Sequence, residues 1–429
     1  MITVIGLGFV GLTTALGFSS RGFKVYGHDV DPRRVQALRE RRVPFFEPQL
    51  EGQLKKNLNK NFFIDVPSEK ALKESSFVFF CMGTPHQKGG RADLSFLFQA
   101  VKDVLSAASQ GRKTLGLVIK STVPPTTALE KIQPLLERYA LQGVRKIILA
   151  NNPEFLREGN AWQDFIHPDR IVIGAENRQT AQRLACLYKN FRAPVFRVSL
   201  TTAEFIKYLS NTLLASLISF ANDASMLAEA MGGIDIPTAF RILHRDRRWQ
   251  GPRAGMADYV FPGCGFGGSC LPKDIRALKW AGREKGHTSS FIQEIINVNA
   301  RVKYYAVERI QKVAVKKDTI GILGLAFKPN TDDIRESPSQ EIIKILLDKG
   351  YRHLIVYDPR AMAHFKRECD LPVRYAASLE DCIKQATVLV LVTGWQEFVD
   401  AQQRYRHKKV VDLRYVLKPS GKGNSHEEG

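Results

Sequence analysis

The segment Gly263-Cys264-Gly265-Phe266-Gly267-Gly268-Ser269-Cys270-Leu271-Pro272-Lys273-Asp274 gathers the groups that could do chemistry. Its four glycines and one proline make a tight loop with accessible backbone amides. A thiol at Cys270, beside such amides and close to Lys273 and Asp274, could serve as a nucleophile next to an anion. The same segment also reads as a Gly-rich turn with buried cysteines, and on this stretch alone both readings stand. Cys264 has nothing beyond its place in the loop and reads as structural. Other residues could complete a site. Lys207 and Asn211 are four apart in a helical pattern and share a face, although a lysine there ordinarily snorkels to water. Glu154 and Glu158 are also four apart and would share a face on a helical turn, as a general base and a polar ligand contact. The plainer reading is two solvated acids flanking Arg157.

Positioning these groups requires a scaffold, and the N-terminal stretch supplies one. The apolar run Ile2-Thr3-Val4-Ile5 leads into Gly6-Leu7-Gly8-Phe9-Val10-Gly11, an apolar helix to about Arg21, and a second strand ending on Asp29. Strand, glycine turn, helix, strand and acid in that order specify a dinucleotide-binding turn. Free amides and the helix dipole would hold a pyrophosphate there. Asp29 would accept from the ribose hydroxyls and so favour NAD over NADP, while Arg33 and Arg34 blur that preference. Further apolar strands end at Gly83-Thr84-Pro85 and Lys120-Ser121-Thr122. Loops at such ends touch ligands in doubly wound sheets, so Thr84, Ser121 and Thr122 are either ligand contacts or helix caps. Thr202 to about Gly232 reads as one long helix that joins the halves and offers a dimer seam. Helices are expected again from Ile275 to Ala314. Strands at Thr319–Gly324, Leu354–Pro359 and Val388–Gly394 echo the N-terminal order without its GxGxxG. The fold class is α/β: two Rossmann-like doubly wound domains joined by a long central helix and a helical middle domain. The boundaries are 1–198, 199–300 and 301–418, with a polar tail, 419–429, expected to be disordered.

Composition narrows the function. An apolar share of 44% fits a globular protein with sizeable cores. The six cysteines form no CxxC or Cys/His metal pattern and read as reduced thiols of a cytosolic protein, with no metal site. No signal peptide or bilayer-spanning run is expected. The net charge of +20 suits an anionic small-molecule substrate or nucleic acid, but acids interrupt the basic runs at Arg39–Arg42 and Arg245–Arg248 and no nucleic-acid motif accompanies them.

Taken together, these motifs resemble the nucleotide-sugar 6-dehydrogenases of the UDP-glucose/GDP-mannose dehydrogenase family. The resemblance runs in order through Gly6–Gly11, Gly83-Thr84-Pro85, Ser121–Pro124, Asn152–Gly159, Pro168–Gly174, Gly265–Cys270 and Phe327–Ser337, over nearly the whole chain. It implies an NAD-dependent four-electron oxidation of a primary alcohol to a carboxylate, through a thiohemiacetal and a thioester on Cys270. By resemblance, Lys207 faces the developing oxyanion with Asn211 assisting, Asp274 and Thr122 hold the water, and Glu154 is the base-like acid for hydrolysis. Gly6, Gly8, Phe9, Val10, Gly11, Asp29, Arg34, Thr84, Thr122, Glu158 and Arg335 would bind NAD. Phe155, Leu156, Arg157, Glu158, Lys207, Asn211, Arg253, Tyr259, Phe261, Gly267, Cys270, Phe327, Lys328 and Arg414 would bind the nucleotide sugar. UDP-glucose is the expected substrate and a homodimer the expected assembly, without nucleic-acid or membrane partners. GDP-mannose or another nucleotide sugar is the alternative, and a non-catalytic nucleotide- or nucleic-acid-binding protein a remote one. Two departures stand out. Arg253 lies in Pro252-Arg253-Ala254-Gly255, about one residue out of the family spacing. Asp412-Leu413-Arg414-Tyr415 replaces the family's Asp-Gly-Arg-Asn.

Overall fold

The computed structural model describes residues 1–64, 66–87, 89–108, 114–140, 146–246, 259–405 and 407–417 of the 429-residue chain. They fall into two compact units, Met1–Thr212 with Lys273–Ser289, and Leu213–Pro272 with Ser290–Gly429.

The first unit is built on an eight-stranded sheet: β1 (Ile2–Ile5), β2 (Val25–His28), β3 (Phe62–Phe63), β4 (Phe77–Phe80), β5 (Leu115–Ile119), β6 (Ile147–Asn151), β7 (Ile171–Ala175) and β8 (Val195–Val198). The strand order is β3-β2-β1-β4-β5-β6-β7-β8. Helices cover both faces, so the inner strands are mainly apolar and mostly buried. The order reverses between β1 and β4, and the crevice beyond that reversal is where such sheets take ligands. Parallel pairing runs from β3 to β6; β7 then pairs antiparallel to β6 through Ala150↔Ala175 and Asn151↔Gly174.

The second unit holds β9 (Ile320–Leu323), β10 (Leu354–Tyr357), β11 (Arg374–Tyr375), β12 (Val388–Leu391) and β13 (Lys409–Asp412). Their order is β11-β10-β9-β12-β13, all parallel. The internal echo extends to backbone detail. In each sheet a glycine with positive φ follows the first strand, Gly6 at 85° and Gly324 at 101°. In each, the acid after the second strand accepts from the turn: Asp29 from the Leu7 amide, Asp358 from those of Leu325 and Ala326. Asp358 also accepts from the Arg360 and Ala361 amides and the Trp395 indole, which commits it to structure.

A 32-residue helix, Leu200–Met231, carries Lys207 and Asn211, close to the span expected from periodicity. Two expectations need correction. Helix Leu271–Glu284 begins at Leu271, four residues before the expected start, so Pro272, Lys273 and Asp274 lie in its first turn. A proline is tolerated there because the first amides of a helix have no internal acceptor. The second concerns residues 152–157, which are irregular, so Glu154 and Glu158 do not share a helical face. Among the described residues, no helix is long and apolar enough to cross a membrane, and no group of His, Cys, Asp or Glu could hold a metal ion.

Candidate active site

The dinucleotide turn has the shape that a pyrophosphate needs. A Cβ on Gly11 would lie 1.7 Å from the Gly6 carbonyl oxygen, whereas one on Gly8 would meet nothing within 4 Å. Close packing at Gly11 seats the helix on the strand, and the open side at Gly8 faces the ligand. Helix Phe9–Ser20 starts in this turn, so Phe9 and Val10 present its first amides. Asp29 accepts from the Leu7 amide at 2.6 Å, from the Asp31 amide at 2.9 Å and from Arg34 Nη1 on both oxygens at 2.8 and 2.9 Å. A ribose hydroxyl must therefore exchange with Arg34 at one of these oxygens, and a 2′-phosphate would face the carboxylate. These residues fit NAD.

Strand ends beside the turn are stitched together. The Thr84 hydroxyl donates to the Thr122 carbonyl at 2.7 Å, and that of Ser121 to the Met82 carbonyl at 2.7 Å. Neither hydroxyl caps a helix. The ends of β4 and β5 are fixed by these bonds, and Lys273 reaches Thr84 at 3.5 Å.

Lys207 does not snorkel. It is 4% exposed, and its ammonium sits 2.8 Å from Glu154 and 5.6 Å from the Phe155 ring. Glu154 is buried as well. Burial pushes its carboxyl up, but Lys207, the Leu156 amide and Lys120 together hold it below its ordinary value. One turn along the helix, Asn211 donates to Asp274 at 2.6 Å, and Lys273 pairs with the other Asp274 oxygen. Asp274 is fully buried. Lys207, Glu154, Asn211 and Asp274, singled out separately in the sequence, thus form two charge-assisted pairs on one helix face. Arg170 stacks on Phe155 at 4.0 Å, and Arg157 turns outward to Asp164 at 2.7 Å. Glu158 lies half-buried in the following turn.

In the second unit, the glycine loop is clamped by close contacts. A Cβ on Gly267 would lie 2.3 Å from the Glu336 carbonyl oxygen, and one on Gly268 would lie 2.8 Å from the Phe327 ring. The Gly268 amide donates to the Arg335 carbonyl at 2.8 Å, and Asn299 bridges both backbone groups of Phe266. This fixes the backbone that leads to Cys270, an exposed thiol at the start of helix Leu271–Glu284. Cys264 is buried in the core around the second sheet, with its thiol toward the Val392 carbonyl, and is structural. Arg414 donates to the Val392 and Phe327 carbonyls. The Lys328 ammonium lies 5.6 Å from the Phe327 ring, and Arg335 is paired with Asp333. Phe261 packs on Tyr415 at 6.5 Å, and Tyr259 is half-buried nearby in sequence. Tyr415 has φ 54°, a left-handed conformation that the family's asparagine accepts more readily. Arg253 and the tail expected at 419–429 lie outside the described residues.

Three buried groups escaped the sequence reading. Glu47 accepts from the Gly159 and Ala161 amides, both at 2.8 Å, and so anchors the end of the Glu154 loop. Lys120 donates to Asn152 Oδ1 at 3.0 Å, and burial lowers its ammonium to about 8. Glu204 is buried one turn before Lys207, where a charged residue in an apolar helical stretch was the available signal. A separate cavity of about 610 Å³ in the second unit, lined by Arg241, Arg309 and Tyr415 among others, contains none of the candidate catalytic, cofactor-binding or substrate-binding residues.

A glycine turn on a doubly wound sheet, with a buried Lys–Glu and Asn–Asp group in the same unit, defines an NAD-dependent oxidoreductase. Family models for the UDP-glucose/GDP-mannose dehydrogenases match the NAD binding domain over residues 1–192, the central domain over 201–301 and the UDP binding domain over 321–419. A UDP-glucose 6-dehydrogenase of Bacillus subtilis is 36% identical over 92% of this chain and 88% of its own. A GDP-mannose 6-dehydrogenase of Pseudomonas aeruginosa is 32% identical over 97% and 96%. The solved structure of a UDP-glucose dehydrogenase from the archaeon Pyrobaculum islandicum superposes with a TM-score of 0.88 at 37% identity, covering 97% of this chain and 94% of that one. The chain belongs to the UDP-glucose/GDP-mannose dehydrogenase family. It is an NAD-dependent dehydrogenase of nucleotide sugars.

Proposed function

We propose that this enzyme oxidises UDP-glucose to UDP-glucuronate, with Cys270 as the covalent nucleophile. The observation that carries the reading is the buried Glu154–Lys207 and Asn211–Asp274 group on one helix face, with Asp274 four residues after Cys270. NAD supplies the hydride acceptor when bound. Lys207 faces the alkoxide and later oxyanions, where a fixed cation stabilises the charge that develops. The Cys270 sulfur adds to the aldehyde carbon and holds it as a thiohemiacetal until the second oxidation gives the thioester. Asp274 and Thr122 hold the water that attacks the thioester carbon, Glu154 serves as the base-like acid, and the carbon–sulfur bond breaks to return the thiol. One alcohol, two NAD and one water give one carboxylate, two NADH and three protons.

Two relatives support the choice of sugar, the Bacillus and Pyrobaculum UDP-glucose enzymes. Pro168-Asp169-Arg170 and Lys328-Pro329-Asn330-Thr331 also resemble the UDP-glucose branch more than the GDP-mannose branch. In a panel of nucleotide sugars, UDP-glucose is expected to yield two NADH per sugar and GDP-mannose little. The reverse preference would overturn the substrate assignment.

We also infer a homodimer. Leu213, Phe220 and Leu227 recur every seven residues on the long helix, with Met231 beyond, and all four are exposed. Such a repeat suits the seam of a helix pair. Phe220→Glu is expected to shift the sedimentation coefficient from a dimer to a monomer, and an unshifted boundary would move the interface elsewhere.

A further inference from the structure

Glu204 is 4% exposed and projects from the long helix one turn before Lys207. Its Oε1 accepts from the Ala128 amide at 2.8 Å, whereas Oε2 has no hydrogen-bond partner among the described residues. Asn151 Oδ1 is in the same position, although the Asn151 amide group is tied to the Leu200 carbonyl at 3.1 Å. Both side chains line a cavity of about 10 Å³, whose other walls are Ile119, Ser121, Thr122, Val123, Pro153 and Lys207. That volume is about the room one water needs, and a buried water takes two to four polar partners. Here Glu204 Oε2 and Asn151 Oδ1 are two acceptors for its protons, and Thr122 and Lys207 stand in the same wall.

We infer that Glu204 is a positioning residue for thioester hydrolysis: it holds one water in this cavity against Thr122 and Lys207 and receives the proton that the water passes on. The inference rests on the proposed roles of Lys207 and Thr122. As the attacking oxygen bonds to the acyl carbon and the carbon–sulfur bond breaks, one proton leaves the attacking water. The cavity water relays it to Oε2, and the thiolate is reprotonated afterwards from solvent.

Acidity favours Glu204 as the final proton acceptor, so that part of the hydrolysis passes from Glu154, the base-like acid proposed above, to Glu204 and leaves Glu154 as the partner of Lys207. A proton acceptor works best when it titrates near the working pH. Burial pushes the Glu204 carboxyl up to about 7, against the lowering by the Ala128 amide, Asn151 and the Thr126 backbone, while Glu130 adds to the rise. Tyr208, one turn on, has its own phenol pushed up by burial and by the charges of Asp274 and Glu204. Glu154 is held ionised by Lys207 and accepts a proton poorly.

The test compares wild type and Glu204→Gln with UDP-glucose and NAD. Wild-type kcat should rise with pH through about 7, as the carboxyl ionises. Glu204→Gln should keep its KM values and its initial NADH burst, lose that limb of the profile, and turn over at least about tenfold more slowly. A variant that retains the wild-type pH profile, or loses burst and steady state together, overturns the inference. Unfolding midpoints give a readout free of substrate. A carboxyl raised in the folded state adds stability at acid pH that is lost as pH rises through about 7. Glu204→Gln should therefore gain stability relative to wild type between about pH 5 and pH 8. Absence of that gain removes the titrating group whatever the substrate. Absence of NADH from wild type with any nucleotide sugar removes the reaction on which the inference rests.

Discussion

Replacing Cys270 with alanine is expected to lower formation of the sugar acid by about a thousandfold or more, the scale of losing a covalent nucleophile. The same variant should bind NAD as wild type does, because the Gly6–Gly11 turn and Asp29 belong to the other unit. Stability should change little, since the Cys270 side chain is exposed and buries no core surface. Cys264→Ala provides the contrast from six residues earlier. Its thiol is packed in the core around the second sheet, so the loss is one of packing, about 1–2 kcal/mol. Turnover should survive wherever that variant is folded. Parallel measurements of NADH yield, NAD affinity and thermal midpoint check both variants. Turnover by Cys270→Ala within tenfold of wild type would refute covalent catalysis.

The two thiols also show what the sequence could and could not reveal. Glycine spacing identified the loop, because only glycine permits the approach of Glu336 and Phe327 to the backbone at Gly267 and Gly268. It did not separate Cys264 from Cys270. Burial separates them, and burial depends on a core drawn from residues between Ala306 and Leu413, far downstream of the loop. The sheets were readable for a local reason. β4, β5, β9, β10 and β12 are continuous runs without a charged residue, bounded by turn residues, and β1 is interrupted only by Thr3, as parallel strands covered on both faces require. β3 and β11 are two residues long and leave no such run. The antiparallel turn of β7 against β6 is a matter of chain direction, to which residue type is blind.

Helix boundaries failed where local chemistry had two meanings. Leu271-Pro272 punctuates a loop on the reading of proline as a breaker, yet proline also suits the first turn of a helix. The consequence for the site is large. Asp274 moves from the end of a tight loop to a helical first turn, where Asn211 and Lys273 hold it. Glu154 and Glu158 erred the other way. Their spacing suggested a shared face, but Pro153 and the anchoring of Gly159 and Ala161 by Glu47 keep the segment irregular. Buried polar partners such as Glu47, Lys120 and Glu204 are set by long-range packing, and a single sequence carries little trace of them.

Lys207→Met is expected to be as costly to the fold as to the reaction. The ammonium and the Glu154 carboxylate are both nearly inaccessible and 2.8 Å apart. Removing one leaves the other charged and buried, a loss of about 3–5 kcal/mol. The penalty should depend on pH in a definite sense. In wild type the Glu154 carboxyl is held below its ordinary value, so its contribution to stability is present above the unfolded carboxyl pKa and is lost as pH falls through the folded one. Without Lys207 the burial that opposes ionisation prevails, although Lys120 still favours the charged form. The carboxyl then rises and takes up a proton on mild acidification. The gap between wild type and Lys207→Met should therefore be widest at neutral pH and narrow below about pH 5. Glu154→Gln should show a loss of similar size at neutral pH, since it strands the cation instead. The double variant Lys207→Met/Glu154→Leu should recover most of the stability while remaining inactive, because a buried pair can be replaced by apolar packing but an oxyanion cannot be stabilised by it. Chemical denaturation of the four proteins from pH 4 to pH 8, with kcat measured alongside, tests each step. Additive losses, with the double variant as costly as the two singles together, would mean that the two charges are not coupled, and the electrostatic account of the site would fall with them.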